Sequence, residues 1–179
     1  EEIGTIAETF CGLGVDRVRL TGGEPLLRRD LTSLVRALAD RPAIRDLALT
    51  TNGVLLSAQA QPLRDAGLHR ITVSLDTLDR ERFRQMTRFD SLDDVLDGID
   101  AAATAGFDAL KIDTVVMRGV NDHELTAIID YARPFGAEVR FIEYMDVGGA
   151  TRWSPGAVVS RREMLARLEQ HYGPITAIV

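Results

Sequence analysis

The stretch DRVRLTGGEP, residues 16–25, predicts a β-strand over 16–20 that ends in a tight turn. Val18 and Leu20 alternate with charged residues, which is the period of a strand. The Gly-Gly-Glu-Pro sequence that follows prevents the strand from continuing. An apolar pattern of helical period lies on each side of this stretch, so the order helix, strand, turn, helix is the unit from which we predict the fold.

The same unit recurs along the whole chain. Apolar runs of strand length predict five strands, at 16–20, 46–50, 70–74, 109–116 and 138–144. Segments with a 3.6-residue apolar period predict helices at 1–13, 30–39, 58–65, 80–86, 92–105, 122–132 and 161–171. Asp122 is the expected N-cap of the sixth helix. Alternation of helices and strands at this spacing is typical of parallel βαβ units.

Five strands are too few for a closed eight-stranded barrel, which leaves an open doubly wound sheet or a partial barrel. We favour an α/β fold in the form of a partial, TIM-type parallel barrel with outer helices, because four of the five strands end in polar, turn-rich segments. In both architectures functional groups gather at the carboxyl ends of the strands. No linker interrupts the pattern, so we predict a single domain over residues 1–179.

Composition excludes several classes of protein. The 179 residues include 21 basic and 27 acidic ones, a net charge of −6 that argues against a nucleic-acid partner. No apolar run approaches the roughly 20 residues of a membrane span, and no signal peptide opens the chain, so we expect a cytoplasmic protein that does not contact a membrane. Cys11 is the only cysteine, which excludes a disulfide within this chain or a metal site built wholly from its thiolates. Lys111 is the only lysine.

The turns after the strands carry candidate ligand-binding groups. Gly22 and Gly23 would let a ligand approach the backbone, although a tight turn without a ligand explains them equally well. The segments TTNG at 50–53 and SLDT at 74–77 could hold a ribose or an amino-acid end, and they also resemble helix caps. Their recurrence at equivalent strand ends favours a shared ligand-binding mouth.

Three cations are predicted on the inner face of the sheet. Lys111, Arg140 and Arg19 each alternate with apolar neighbours that pack on helices, so the charged side chains point the other way. Buried cations need an anion. That anion is either an acidic side chain such as Glu143, which would make the cluster structural, or a bound polyphosphate, which arginine and lysine both suit.

The remaining reactive residues show no catalytic or metal-binding spacing. The three histidines are scattered and are expected on the surface: His69, His123 and His171. Cys11 is expected to be a small buried hydrophobe. Trp153 could cover a cavity or pack against the fold.

Six elements occur in a set order: RLTGGEPLLR at 19–28, LTTNG at 49–53, VSLD at 73–76, Lys111-Ile, GVND at 119–122 and RFIEYM at 140–145. Together they closely resemble the radical S-adenosylmethionine GTP 3′,8-cyclases of molybdenum cofactor biosynthesis. Gly-Gly-Glu-Pro alone would indicate only the wider radical S-adenosylmethionine superfamily. The likeness covers nearly this whole chain but only the middle of a family member.

The resemblance implies a cofactor site. The backbone of Gly23 would lie against the methionine end of S-adenosylmethionine, Ser74 would hydrogen-bond the same cofactor, and Met145 would contact its adenosine part. The family cleaves this cofactor reductively at a [4Fe-4S] cluster, and the radical that results abstracts a ribose hydrogen from GTP.

The resemblance also implies a substrate site for GTP. Arg19, Thr50, Lys111 and Arg140 would face the nucleotide, with the three cations countering its triphosphate. The product, 3′,8-cyclo-7,8-dihydro-GTP, belongs to the first step of molybdopterin biosynthesis, and a downstream pterin synthase acts on it.

The chain departs from the family in ways that bear on activity. The family's Cys-x-x-x-Cys-x-x-Cys loop would lie upstream of Glu1, and the cysteines of its second cluster would lie beyond Val179. We therefore expect these 179 residues alone to bind no iron and to be inactive. The first strand of the family's six-stranded partial barrel would also be lost, which would expose one edge of the sheet. Such an edge could pair with a second copy of the chain in a homodimer. Asp113 stands where the family commonly has Asn.

Two alternative functions fit the residues. Lys111 at mid-strand could be the nucleophile of a Schiff-base lyase or aldolase. The chain could also be a non-catalytic nucleotide-binding remnant that has lost its cluster.

Overall fold

The computed structural model of the protein describes residues 2–146 and 153–177. Five parallel strands form one open sheet in this part of the chain: β1 (Arg17–Leu20), β2 (Asp46–Thr51), β3 (Arg70–Ser74), β4 (Ala109–Val116) and β5 (Glu138–Glu143). Seven α-helices surround them: α1 (Glu2–Gly12), α2 (Leu31–Ala39), α3 (Ala60–Asp65), α4 (Arg80–Thr87), α5 (Leu92–Ala105), α6 (Leu125–Ala132) and α7 (Arg161–Tyr172). Short 3₁₀ turns occupy Pro25–Leu27, Arg133–Phe135 and Pro155–Ala157.

The order of the strands decides between the two predicted architectures. The sheet runs β1-β2-β3-β4-β5, so each strand pairs in parallel with the next strand of the chain. A doubly wound sheet reverses its winding at a switch point between two halves. Right-handed crossovers that continue in one direction instead place every connecting helix on the same face of the sheet. The prediction of a partial parallel barrel is therefore confirmed.

The two faces of the sheet differ in character. The outer face carries apolar side chains that are fully buried against the helices: Leu47, Leu49, Ile71, Val73 and Ile112. The inner face carries polar and charged residues. They lie side by side in the register of the sheet, where Thr72 pairs with Lys111 and Asp113 pairs with Arg140. Near the amino ends of the strands this face already contains an ion pair between Arg70 and Asp46.

A close backbone contact holds the turn after β2. Gly98 of α5 lies so near Gly53 that a Cβ atom on Gly98 would come within 2.5 Å of the Gly53 carbonyl oxygen. Gly53 itself has a φ of +83°, a conformation that L side chains rarely adopt. The backbones of α5 and the TTNG turn are thus in close contact, which leaves no room for a side chain at Gly98.

The start of α6 differs from the prediction. The helix begins at Leu125, and Asp122 is not its N-cap. Its carboxylate instead accepts a hydrogen bond from the Gly119 amide at 2.8 Å and forms an ion pair with Arg167 of α7 at 2.8 Å. Asp122 was predicted from its position before an apolar helical pattern, but its contacts with a turn and a distant helix hold it outside α6.

Candidate active site

The turn after β1 is fastened to the end of β2 by Glu24. One oxygen of the Glu24 carboxylate accepts hydrogen bonds from the Leu26 amide at 3.0 Å and the Thr51 hydroxyl at 2.6 Å. The other oxygen accepts from the Asn52 amide at 2.8 Å. Gly22 has a φ of +137°, so the turn requires a glycine there. The acid of the Gly-Gly-Glu-Pro element therefore shapes the site by joining two strand ends.

A cavity of about 340 Å³ opens at the carboxyl ends of β1, β2 and β3. Its polar wall comes from the turns after these strands: Glu24, Asn52, Ser74, Asp76 and Thr77. Its apolar wall includes Leu27, Val54, Leu55, Phe83, Met86 and Phe89. A mostly apolar pocket with a few convergent polar groups is typical of a small-molecule site.

Asp76 links this cavity to the end of β4. Its carboxylate accepts a hydrogen bond from the Val115 amide at 2.8 Å. Burial raises the pKa of Asp76, and the Val115 amide opposes that shift only partly. The buried Asn121 side chain donates to the carbonyl oxygens of Asp76 and Val115 at 2.7 and 2.8 Å, which closes the link. The GVND element thus contributes to the site through the support that Asn121 gives.

Five residues of the inner face form a charged strip, defined here as Arg19, Lys111, Asp113, Glu138 and Arg140. The Arg19 guanidinium donates to the Thr50 hydroxyl at 2.9 Å and, at 3.4 Å, to the Thr72 hydroxyl. These contacts place Arg19 over β2 and β3, facing the two strands that carry the rest of the strip. The register of neighbouring strands places Arg19, Lys111 and Arg140 on the same face, which confirms the prediction that the three cations share the inner face.

Glu138 neutralises two of the three cations. The Lys111 Nζ donates to Oε2 of Glu138 at 2.6 Å, and the Arg140 Nε donates to Oε1 at 2.7 Å. The Lys111 side chain is only 10% exposed, whereas that of Glu138 is 53% exposed. Lys111 first and Arg140 second lower the pKa of Glu138, so the carboxylate stays ionised at neutral pH.

Asp113 is the unsatisfied member of the strip. Its Oδ1 is buried and has no hydrogen-bond partner within residues 2–146 and 153–177. Burial raises the pKa of Asp113, while Arg140, Arg19 and Lys111 act in the opposite direction. A buried acceptor without a donor costs free energy, which marks the position as one that a ligand donor would stabilise.

The structure separates the predicted residues into two neighbouring surfaces. Ser74 lies in the cavity wall, and Gly23 lies in the turn beside it. Met145 follows β5, is 59% exposed and does not line the cavity. Arg19, Thr50, Lys111 and Arg140 lie on the inner face of the sheet beside the cavity and not in its wall. The ligand-binding roles of all seven stay predictions.

The prediction of Glu143 as an anionic partner of the inner cations is wrong. Its carboxylate accepts a hydrogen bond from the Arg161 amide at 2.6 Å, at the start of α7. Residues 140 and 143 are an odd number of positions apart on one strand and therefore face opposite ways. Glu138, two positions before Arg140, has the correct parity, and that signal was available in the sequence but was missed.

Three other single residues have structural contacts. His69, predicted on the surface, is half-buried, and its imidazole accepts a hydrogen bond from the Leu47 amide at 3.0 Å. Trp153 donates its indole N–H to the Tyr144 carbonyl at 3.2 Å and lies outside the cavity wall. Cys11 is half-buried against the apolar core, which differs only in degree from the prediction.

The residues of this chain fit one of the two expected cofactors. The cavity, with hydroxyl, amide and carboxylate groups beside aromatic and aliphatic side chains, fits an amphipathic molecule such as S-adenosylmethionine. An iron–sulfur cluster needs several thiolates, and Cys11 alone cannot supply them. In the described part of the chain no group of three or more His, Cys, Asp or Glu side chains could hold a metal ion.

Among the residues that the structure describes, no helix has the length and apolar character needed to cross a membrane.

Comparisons with known proteins agree with this geometry. The sequence model of the radical SAM superfamily matches residues 1–132. A protein of Mycobacterium bovis named GTP 3′,8-cyclase 3 is 50% identical over 182 residues, which cover 99% of this chain and 48% of that protein. GTP 3′,8-cyclase 1 of Mycobacterium tuberculosis is 52% identical over 179 residues, covering 98% of this chain and 50% of the relative. The chain spans about half the length of the curated relatives that it matches.

A solved structure shows the same fold. The crystal structure of methylornithine synthase superposes with a TM-score of 0.71 over 96% of this chain and 52% of that one, at 18% sequence identity. At this identity the likeness concerns the fold alone.

Proposed function

This chain belongs to the radical SAM superfamily, and on that premise we propose that it is the core of a GTP 3′,8-cyclase. The activity is the one named for its relatives in two mycobacteria. Such an enzyme joins the 3′ carbon of the ribose to carbon 8 of the guanine base of GTP, in the first step of molybdopterin biosynthesis.

One observation carries the proposal: a nearly buried lysine stands on a sheet face with two arginines, beside an amphipathic cavity. Arg19, Lys111 and Arg140 come from three different strands. Two acids, Asp113 and Glu138, share the strip, so it holds a net charge of about +1 when both are ionised. A cationic surface of this kind suits a polyphosphate, and the adjoining cavity suits a second, less charged molecule.

The cavity is the proposed place of S-adenosylmethionine. The Ser74 hydroxyl and the backbone of Gly23 would bind its polar groups, and Met145 would contact its adenosine part. When bound, S-adenosylmethionine supplies the hydrogen-abstraction chemistry that the protein itself lacks. The apolar wall that includes Phe83 and Phe89 would reduce the access of water to the reacting groups, which limits side reactions.

The charged strip is the proposed place of GTP. Lys111 and Arg140 would bind the triphosphate oxygens. Arg19 would bind them from β1, at the other edge of the sheet from β5. Thr50 holds the Arg19 guanidinium through its hydroxyl and would also face the nucleotide. The function of these four residues is to orient the ribose toward the cavity and to neutralise the phosphate charge.

These 179 residues would not themselves hold the iron–sulfur cluster. Since one cysteine cannot hold a [4Fe-4S] cluster, we expect the 179 residues alone to bind no iron and to convert no GTP. Anaerobic reconstitution with ferrous iron, sulfide and a reductant tests this. A cluster absorption band or turnover of GTP in the isolated 179 residues would contradict it.

The chain is also proposed to be one domain of a cytoplasmic protein that self-associates. Residues 1–179 would be a single domain, which is supported by Phe141 packing against both apolar clusters of the fold. A downstream pterin synthase would consume the product in the cytoplasm. A homodimer would be supported by the exposed apolar side chains of α1, which a second copy could cover: Ile3, Ile6 and Phe10.

The Schiff-base alternative is disfavoured by the contacts of Lys111. A nucleophilic lysine must offer the lone pair of a neutral amine. The Lys111 Nζ instead donates to the Glu138 carboxylate at 2.6 Å, a contact that directs the amine at an anion and not at a carbonyl substrate. Borohydride trapping of Lys111 with a carbonyl substrate would revive the alternative.

The decisive experiment uses the full-length protein. With S-adenosylmethionine and a reductant under anaerobic conditions, it should convert GTP to the 3′,8-cyclic product, whereas a non-catalytic remnant would not. Lys111→Ala should weaken GTP binding by tenfold or more, about 1.4 kcal/mol. Arg64→Ala, which removes a cation paired with Asp108 away from the strip, is the matched control and should bind normally. Undiminished GTP binding by Lys111→Ala would refute the substrate site.

A further inference from the structure

Glu138 occupies the position in the charged strip where an anion bridges two cations. It is the first residue of β5 and lies opposite Lys111 in the register of the sheet. Each of its carboxylate oxygens accepts from a different cation, Oε2 from Lys111 at 2.6 Å and Oε1 from Arg140 at 2.7 Å. Two oxygens held by two cations is also the way in which a phosphate group is bound.

The burial of the three side chains is unequal. Lys111 is 10% exposed and Arg140 is 40% exposed, whereas Glu138 is 53% exposed. A nearly buried ammonium cannot be left without a counter-charge. A half-exposed carboxylate, in contrast, can turn into water at little cost. Lys111 and Arg140 can therefore exchange one anion for another at little cost, whereas losing their anion altogether lowers the stability of the fold.

We propose that Glu138 is an internal competitor of the substrate's triphosphate: it neutralises Lys111 and Arg140 in the free protein, and the bound triphosphate displaces it. This inference rests on the proposed function for the identity of the ligand. Glu138 thereby sets the affinity for the nucleotide, because each binding event must first break its two ion pairs. It also keeps the lysine folded inward and ready while no nucleotide is bound.

The competition predicts an uncommon result for a mutation in a binding site. Glu138→Gln removes the competing charge and leaves both cations in place, so GTP should bind about tenfold more tightly. Inorganic tripolyphosphate should gain by a similar factor, since the competition concerns phosphate oxygens alone. Guanosine, which has no phosphate, should bind equally to both proteins. Glu138→Asp, whose shorter side chain cannot reach both cations, should show an intermediate gain.

The test measures these affinities by titration calorimetry on the full-length protein at one ionic strength. Glu143→Gln is the matched control, because it makes the same change of charge on the same strand but on the opposite face. Thermal unfolding adds a second measurement. Glu138→Gln should melt at a lower temperature than wild type when free, and saturating tripolyphosphate should raise its melting temperature by more.

The outcomes separate this inference from the proposed function. If wild type binds GTP and Glu138→Gln binds it no more tightly, Glu138 has a structural role only and the inference is overturned. A gain for GTP that tripolyphosphate does not share would overturn it as well, as would an equal gain in Glu143→Gln. If neither wild type nor Glu138→Gln binds GTP, the proposed substrate falls and the inference falls with it.

Discussion

Two consecutive residues of β4 show how differently the two faces of this sheet are built. Ile112 is fully buried against the outer helices, between Val73 of β3 and Val139 of β5 in the register of the sheet. Lys111, on the inner face, is nearly as buried, but its contacts are with the Glu138 carboxylate and the neighbouring polar strands. Burial alone therefore does not distinguish the two positions.

The difference lies in what burial does for the free energy. Removing Ile112 from water stabilises the fold in proportion to its apolar area. Burying Lys111 has a desolvation cost that its ion pair offsets, so the lysine contributes little net stability. The outer face thus supplies most of the stability of the sheet, whereas the inner face is the one that we propose to bind a ligand.

The largest expected effect on stability is at the outer face. Ile112→Ala should lower the free energy of unfolding by about 2–5 kcal/mol, because it leaves a cavity in a tightly packed core. Chemical denaturation measures the change. GTP binding, measured below the unfolding transition, should stay close to that of wild type. A loss of binding with intact stability would show that the two faces are not independent.

The next effect concerns the turn that joins the faces at the site. Glu24→Ala should lower the free energy of unfolding by about 2–3 kcal/mol, since it leaves the Asn52 amide and the Thr51 hydroxyl without their charged acceptor. Glu24→Gln retains one oxygen that can accept and should lose roughly half as much. Thermal unfolding compares the two. Equal losses in both variants would mean that the charge, and not the number of hydrogen bonds, holds the turn.

A much smaller effect on stability is expected at Lys111. Lys111→Met should change the free energy of unfolding by less than about 1 kcal/mol, because the new side chain fills the same volume and Glu138 keeps Arg140 as its partner. GTP binding should nevertheless fall by about tenfold or more. The comparison with Ile112→Ala would break down if Lys111→Met were strongly destabilised.

The smallest effect is a pH dependence outside the site. The Ser160 amide, then Arg118 and the Ser160 hydroxyl, lower the pKa of Glu163 from 4.5 to about 2. This contribution to stability is present above about pH 4.5 and is lost as the pH falls toward about 2, because the lowered folded pKa favours the ionised carboxylate.

Melting temperatures measured between these pH values test the point. Glu163→Gln should lie below wild type at neutral pH and converge with it as the pH falls. Glu169, an exposed residue of the same helix, provides the control. Glu169→Gln should have nearly the same melting temperature as wild type at each of these pH values. A constant gap between wild type and Glu163→Gln over this range would contradict the expectation.

The elements of the fold could be predicted well because their signals are local. The strands at 70–74 and 109–116 and the helix at 92–105 have the predicted bounds. The start of α6 could not be predicted, because Asp122 is held by Gly119 and by Arg167, a residue 45 positions away. An N-cap preference of one residue is weaker than two such contacts.

The site was predictable in part. The strand period of two residues placed Arg19, Lys111 and Arg140 on one face, and the register confirms it. The same period excludes Glu143 as the partner of Arg140 and favours Glu138, which lies two positions before Arg140 on the same face. The apolar wall of the cavity had no such signal, because Phe83 and Phe89 come from a helix and a loop whose packing over the strand ends is a tertiary matter.

The amino-acid sequence by itself determined the alternation of elements, the inward direction of the cations and the lack of thiolates for a cluster. These follow from composition and from short-range periodicity, which are complete within a few neighbouring residues. Only the tertiary structure decided the winding of the sheet, the anion that neutralises Lys111 and the separation of the cavity from the charged strip. The physical reason is that each depends on pairing between residues far apart in the chain, and no local pattern specifies which partner a buried charge will meet.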